Sequence, residues 1–153
     1  MKTATICFLV KNGEVCLSEK KQGFGRGYLN GYGGKVNDGE TIENAAVREI
    51  QEEAGVIVNP ANLEKVAVIE FFEEEKPLFE CHVFFVLQWT GEFGETEEMG
   101  PLQCFPLERV PYERMWKADR EWVPLVFSGK KIRAKAHYKK GMTEIKHFVY
   151  EDL

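Results

Sequence analysis

The sequence contains no apolar run long enough to span a lipid bilayer. Its longest runs, residues 4–10 and 83–87, are far shorter than the roughly 20 residues that a transmembrane helix requires. It also contains no repeat, no low-complexity stretch and no linker. Hydrophobic residues make up 44% and charged residues 29% of the 153 positions, which is typical of a folded protein. We therefore expect a single cytoplasmic domain over residues 1–153, in which Met1-Lys2-Thr3 leads into a first strand rather than a signal peptide.

Closely spaced cysteines and histidines, which would indicate a zinc site, are absent as well. The three histidines are scattered at positions 82, 137 and 147. Each cysteine lies in an apolar, strand-like segment, at Cys7, Cys16, Cys81 and Cys104. We expect four buried free thiols, as is usual in a cytosolic protein, rather than disulfides.

Positive charge is in short supply. The chain has 20 Lys and Arg against 25 Asp and Glu, which gives a formal net charge of −5 at pH 7. It therefore lacks the basic surface with which proteins bind DNA or RNA, and we expect neither a nucleic acid polymer nor a membrane as a partner. Because an acidic protein repels polyphosphates, a phosphate ligand would have to be attracted through bound cations.

The pattern of apolar residues predicts a mixed sheet interrupted by two helices, which is an α/β fold. Strand-like residues 3–11 and 14–19 flank Asn12-Gly13, a strong signal for a two-residue hairpin. Six glycines between positions 23 and 34 exclude a regular helix there. The remaining elements are predicted as a helix over 119–127, a turn at 139–141, and strands at 63–72, 78–89, 102–107, 131–138 and 143–150.

A further helix, from the N-cap Thr41 to the C-terminal Gly55, carries the most informative residues. Its apolar side consists of Ala46, Val47, Ile50 and Ala54. Glu49, Glu52 and Glu53 follow the spacing i, i+3, i+4 and fall within an arc of about 100° beside that apolar side. Clustered carboxylates of this kind suit Mg²⁺, which prefers oxygen ligands and can activate a bound water. The alternative is an ordinary solvated acidic face, in which an ion pair joins residues 48 and 52.

The segment around this helix resembles the Nudix box. The box consists of Gly, five residues, Glu, seven residues, Arg-Glu, an aliphatic residue, any residue, Glu-Glu, any residue, Gly and an aliphatic residue. All nine fixed positions are matched within residues 34–56, by Gly34, Glu40, Arg48, Glu49, Ile50, Glu52, Glu53, Gly55 and Val56. A match this specific identifies the chain as a member of the Nudix hydrolase superfamily.

The resemblance implies an α/β/α sandwich with a mixed sheet, in which the box forms a loop–helix–loop site. Glu52 and Glu53 would bind metal ions, and Glu49 would be a metal ligand or the general base. A backbone carbonyl of Gly33 or Gly34 would complete the coordination. The implied cofactor is Mg²⁺, with Mn²⁺ as a substitute, and the implied reaction is attack of water on phosphorus.

Two other box residues have supporting roles in the family. Arg48 would orient Glu49, and Glu40 would brace the loop. Gly55 would end the helix. These roles follow from the resemblance alone.

Outside the box, the chain is similar to the oxidised-purine nucleoside triphosphatase branch, which includes MutT-like 8-oxo-dGTP diphosphatases. These enzymes convert 8-oxo-dGTP or 2-hydroxy-dATP to the monophosphate and pyrophosphate, and so keep damaged nucleotides out of DNA. The similarity is carried by residues 20–21, 23–25, 30–36, 115–116, 122 and 124–125. The expected substrate is therefore a purine nucleoside triphosphate, and we expect the protein to be a monomer.

The same resemblance proposes the residues that bind the substrate. Asn30 would hydrogen-bond the purine edge, for which an amide offers both a donor and an acceptor. Trp116 would stack on the base, and Lys20 would lie near the sugar or phosphate. Pocket walls would be formed by Phe24, Phe71 and Trp122. Taken locally, each residue also has an ordinary interpretation, such as a turn asparagine, a core aromatic or a solvated lysine.

Two positions depart from a simple match. A further carboxylate of the family corresponds to Glu98 in the acidic loop after residue 91, but the alignment needs a gap there and Glu97 competes.

The family reads the purine with two adjacent aspartates after the tryptophan. Here they correspond to Ala118 and Asp119, so the first acid is missing. Losing a hydrogen-bonding partner weakens discrimination among bases, and this puts selectivity for oxidised purines in question.

Alternatives of other kinds remain open from the sequence. A Nudix enzyme could act on a normal nucleotide or on ADP-ribose instead. A Nudix domain that has lost catalysis could serve as a nucleotide-binding module, although the three helix glutamates are all present here. A plain acidic structural domain would leave the nine-position match unexplained.

Overall fold

A mixed sheet lies between two helices. The computed structural model describes residues 1–23 and 25–153, and these residues contain eight strands and two α-helices. The elements are β1 Lys2–Lys11, β2 Glu14–Glu19, β3 Leu29–Asn30, α1 Ile42–Ala54, β4 Leu63–Glu73, β5 Lys76–Val86, β6 Gln103–Pro106, α2 Asp119–Phe127, β7 Ile132–Tyr138 and β8 Ile145–Asp152. Over this part of the chain, neither helix combines the length and the apolar character needed to cross a membrane.

The sheet has the order β3-β2-β1-β5-β4-β7-β8, and β6 pairs with β2. The pairs β1–β5 and β4–β7 are parallel, and the other neighbours are antiparallel. This arrangement places β5 at the centre of the sheet, with β1 beside it.

Each face of the sheet is covered by one helix, so the predicted α/β/α sandwich is confirmed. On one face, α1 buries Ala46, Ile50 and Ala54 against apolar side chains of β1 and β5. On the other face, α2 buries Trp122 and Val126 in a larger cluster. Removing these side chains from water on both faces provides the main driving force for folding.

Most of the predicted elements are present within a few residues of their expected bounds. At the first hairpin, Asn12 and Gly13 have φ values of 54° and 77°, the left-handed conformation that a tight two-residue turn requires. Strand β5 ends at Val86 rather than at residue 89, because its partner β4 begins only at Leu63, which pairs with Val86. Three short 3₁₀ turns at residues 60–62, 107–109 and 112–114 were not expected from the sequence.

The expectation of four buried free thiols is wrong for two of the cysteines. Cys16 of β2 lies opposite Cys104 of β6, and the two form a disulfide with their Cα atoms 4.0 Å apart. Cys7 and Cys81 are free and buried, as expected. The pairing is hidden in the sequence because 88 residues separate the two partners and only the sheet register brings them together.

The glycine-rich segment runs along β1 at very short distance. The amide of Thr5 donates to the carbonyl of Gly34 at 2.9 Å, and Cys7 and Tyr32 exchange hydrogen bonds through both of their backbones. A Cβ atom on Gly33 would lie 1.9 Å from the carbonyl oxygen of Thr5. The chain can follow β1 this closely only because Gly33 has no side chain.

Gly33→Ala is therefore expected to lower the free energy of unfolding by about 3 kcal/mol, since the contacted atom is backbone and cannot move aside. Gly94→Ala is the matched control, because an added Cβ there meets nothing within 4 Å and φ is not positive. Urea unfolding of both variants measures the difference. Equal stability of the two variants would contradict the close approach.

Candidate functional site

Helix α1 has well-defined ends that fix the direction of its acidic side chains. The Thr41 side chain accepts a hydrogen bond from the amide of Asn44 at 3.1 Å. At the other end, Gly55 adopts φ 77°, and its amide donates to the carbonyl of Gln51 at 2.9 Å. Both caps are those predicted from the sequence.

Arg48 links the helix to the loop that precedes it. Its Nε and Nη2 atoms donate to the two carboxylate oxygens of Glu40 at 2.8 and 3.0 Å. Nη1 donates to Glu49 at 2.8 Å, and Nη2 also donates to the carbonyl of Lys35 at 3.0 Å. The paired hydrogen bonds from Arg48 hold the pKa of Glu40 down to about 2, so both side chains stay charged.

Glu53 lies inside the buried face of α1 rather than beside it, which corrects the expectation from helical spacing. Its side chain is buried, and Oε1 accepts a hydrogen bond from the amide of Gly33 at 2.7 Å. Burial raises the pKa of Glu53 well above its usual range, and the nearby carboxylates of Glu98 and Glu49 raise it further. An acid thus occupies a position on the core-facing side of the helix.

Glu98 is the acid of the 91–100 loop that reaches the helix. The negative charge of Glu98 lies close enough to Glu53 and Glu49 to raise the pKa of both side chains. This proximity favours Glu98 over Glu97, the alternative that the sequence left open.

Gly34 makes room for the third carboxylate. A Cβ on Gly34 would lie 2.6 Å from the Cδ atom of Glu49, so any side chain there would displace Glu49. Burial raises the pKa of Glu49 despite its hydrogen bond from Arg48. The carbonyl of Gly34 accepts from the amide of Thr5 at 2.9 Å and, over a longer distance of 3.5 Å, from the Thr5 hydroxyl.

Carboxylate oxygens are the kind of ligand that a hard divalent cation prefers. In this structure, however, the helix glutamates accept hydrogen bonds from Arg48 and from the amide of Gly33. Within residues 1–23 and 25–153, no group of three or more His, Cys, Asp or Glu side chains forms a ready-made metal site. Glu52 is 56% exposed at its side chain and points to Arg48 at 3.3 Å. Glu49 and Glu98 nevertheless raise the pKa of Glu53, and Glu98 also raises the pKa of Glu49. Crowded carboxylate oxygens are the donors that Mg²⁺ and Mn²⁺ prefer.

A cavity beside these acids collects most of the predicted substrate-binding residues. It is lined by Lys20, Asn30, Phe71, Trp116 and Asp119, together with Gly33, Gly34 and Glu53. Phe24, another predicted substrate-binding residue, lies outside the described residues. Residues from the whole length of the chain therefore meet in one place, next to the acidic helix.

Asp119 is a second buried acid that lines this cavity, besides Glu53. Its Oδ1 atom accepts a hydrogen bond from Nε1 of Trp122 at 3.1 Å, and burial raises its pKa to about 7. Trp122 itself is fully buried in the core and does not line the cavity. The expectation that it forms part of the pocket wall is therefore wrong. Trp122 supports Asp119 from behind.

Two other predicted residues have defined local contacts. The indole of Trp116 meets the ring of Tyr28 edge-on, with centroids 5.3 Å apart. The side-chain oxygen of Asn30 accepts from the amide of Gly31 at 2.8 Å, which leaves its NH₂ group as the donor that faces a ligand.

Several lining residues were missed by sequence reasoning. Phe79 and Tyr138 stack on either side of Phe71, with centroids 4.9 and 6.1 Å away, and Cys81 and Met99 also line the cavity. In the sequence they look like ordinary apolar strand residues. The register of β4 between β5 and β7 is what places them together.

Comparison with known proteins adds a family and two close relatives. A family model described as the NUDIX domain matches residues 1–126. An oxidized purine nucleoside triphosphate hydrolase of Danio rerio is 43% identical over 132 residues, covering 86% of this chain and 83% of the relative. A protein of the same name from Mus musculus is 41% identical over 129 residues, covering 84% and 81%.

Among solved structures, a MutT protein from Bacillus halodurans superposes with a TM-score of 0.82. The match covers 99% of this chain and 98% of the other at 24% sequence identity. At this identity the likeness establishes the fold alone.

The raised pKa of Asp119 predicts a pH-dependent contribution to stability. Between pH 4 and 7, Asp119 is protonated in the folded state and ionised in the unfolded state, so the free energy of unfolding falls as the pH rises. Asp119→Asn keeps the acceptor for Trp122 and removes the titration. Urea unfolding at several pH values should show wild type losing stability relative to Asp119→Asn steadily from pH 4 to 7. Parallel profiles would contradict the buried, protonated acid.

Proposed function

Because this chain belongs to the NUDIX family, we propose that it hydrolyses oxidised purine nucleoside triphosphates such as 8-oxo-dGTP to the monophosphate and pyrophosphate. The observation that carries the proposal is the cavity that Glu53 shares with Asn30, Trp116 and Asp119. A single nucleotide would meet acids at its phosphates and an aromatic, hydrogen-bonding wall at its base. The names of the two vertebrate relatives support the same substrate class.

The base would be held by stacking and by a few polar groups. Stacking on an aromatic ring contributes about 1–3 kcal/mol per base, and Trp116 offers such a ring at the cavity wall. Asn30 presents its NH₂ group, while Asp119 can donate or accept near neutral pH. These groups are suited to the edge of a purine.

The acidic residues would handle the triphosphate. A bound Mg²⁺, or Mn²⁺ in its place, would supply attraction for phosphate oxygens and lower the pKa of a water. Glu53 and Glu98 would hold the cation, and Glu52 is exposed enough to join them. Arg48 fixes the carboxylate of Glu49, which would act as a further metal ligand or as the general base. The cation would also offset the formal net charge of −5.

A second candidate function rests on Ala118. This residue is fully buried and replaces one of the two acids that the family uses to read the purine. With one acid instead of two, a hydrolase for normal purine triphosphates or for ADP-ribose is the alternative. A binding module without catalysis is disfavoured because Glu49, Glu52 and Glu53 are all present.

The setting of the enzyme is part of the proposal. We take residues 1–153 as a single monomeric domain with the box at 34–56, acting on the cytoplasmic nucleotide pool in avoidance of DNA damage. The disulfide between Cys16 and Cys104 is the one described feature that opposes this compartment, because the cytosol keeps most thiols reduced.

Glu53→Gln is expected to lower kcat with Mg²⁺ by at least about a hundredfold, because an amide is a poor ligand for a hard cation. Glu97→Gln is the matched control, an exposed acid of the loop for which no contact with the helix acids is seen in the described residues. Pyrophosphate release from 8-oxo-dGTP measures both. Near-normal turnover of Glu53→Gln would contradict the assignment.

Selectivity for the damaged base is tested with a nucleotide panel. Wild type is expected to show a higher kcat/KM for 8-oxo-dGTP than for dGTP, and Asp119→Ala should lose about tenfold or more on 8-oxo-dGTP through the missing hydrogen bond. Equal values for the two nucleotides would reject the oxidised-purine substrate. Turnover of ADP-ribose instead would support the second candidate.

A further inference from the structure

The loop of residues 91–100, here called the acidic loop, caps the C-terminal end of α1. The last four carbonyl groups of any helix lack partners within it. In α1, the carbonyl of Ala54 accepts from the amide of Gly94 at 2.9 Å. The carbonyl of Glu53 accepts from the hydroxyl of Thr96 at 3.0 Å. The loop therefore supplies hydrogen-bond donors to two carbonyl groups at the end of the helix that carries the acids.

The hydroxyl of Thr96 is used to its full capacity. It donates to Glu53, and it accepts from the amides of Glu98 at 3.3 Å and Met99 at 3.2 Å. A hydroxyl has one donor and two acceptor positions, so all three are filled. The amide of Thr96 also donates to the carbonyl of Met99 at 3.0 Å, which closes a tight turn around Glu98.

One side chain thus bonds to the backbones of two acids that lie far apart in sequence. The carboxylate of Glu98 also lies close enough to that of Glu53 to raise its pKa. We propose that Thr96 is a positioning residue, whose hydroxyl sets the spacing between Glu53 and Glu98 for a shared divalent cation. This inference rests on the proposed metal-dependent hydrolysis.

The rest of the acidic loop is attached on the opposite side, to the chain that follows β2. The amide of Lys21 donates to the carbonyl of Glu98 at 2.8 Å, and its Nζ donates to the carbonyl of Thr96 at 2.9 Å. The amide of Gly100 donates to the carbonyl of Glu19 at 2.9 Å. Removing the Thr96 hydroxyl leaves these bonds in place, so the loop should shift relative to α1 without unfolding.

The test compares two substitutions at Thr96. Thr96→Val keeps the shape and removes the hydroxyl, whereas Thr96→Ser keeps the hydroxyl. Thr143→Val makes the same change at an exposed turn and serves as the control. Mn²⁺ binding without nucleotide, followed by electron paramagnetic resonance, is expected to weaken about tenfold in Thr96→Val and to stay near wild type in Thr96→Ser and Thr143→Val. Thermal unfolding of each variant checks that the fold is kept.

A double-mutant cycle shows which acid is positioned. If Thr96 acts through Glu98, Thr96→Val should cost little further Mn²⁺ affinity in a Glu98→Gln background. An equal loss in both backgrounds, or wild-type affinity of Thr96→Val alone, would overturn the role of Thr96. A wild-type protein that binds no Mn²⁺ would overturn the proposed function, and the role of Thr96 with it.

Discussion

The burial of a glutamate on the core-facing side of a helix is the constraint on which the rest of the site depends. Removing a carboxylate from water is costly unless it finds hydrogen bonds, a counter-charge or a proton. Glu53 finds an amide at Gly33 and a second carboxyl group at Glu98, and neither is a counter-charge. The fold therefore maintains a group of acidic side chains whose mutual repulsion a bound divalent cation would reduce.

The glycine-rich segment brings a backbone amide, that of Gly33, to the carboxylate of Glu53. Gly33 approaches β1 so closely that its amide can point at Glu53, and Gly34 leaves space for Glu49. Arg48 then ties the loop that follows this segment to the helix, through Glu40 and the carbonyl of Lys35. Because the cavity for a base lies beside this segment, the structure links the acids and the aromatic wall through one short stretch of chain.

Local features of the sequence were sufficient for most of the fold and for the acidic helix. Caps at Thr41 and Gly55 and the turn at Asn12 act between near neighbours, so the sequence alone revealed them. Long-range register was not accessible in this way. The disulfide of Cys16 with Cys104 depends on which strands become neighbours.

The same limit applies within the site. Helical spacing grouped Glu49, Glu52 and Glu53 but could not show that Glu53 alone is buried and Glu52 exposed. Those differences arise from the loop packed against the helix. The proximity of Glu98 to Glu53 arises from the same packing.

The most direct test of the account is the thermal stability of the nucleotide-free protein as Mg²⁺ is added. A ligand that binds the folded state alone raises Tm with its concentration. Wild type should gain stability steadily with Mg²⁺, and Glu53→Gln should gain far less. A Tm that does not respond to Mg²⁺, or that responds equally in both proteins, would contradict the claim that the buried acid gathers a divalent cation.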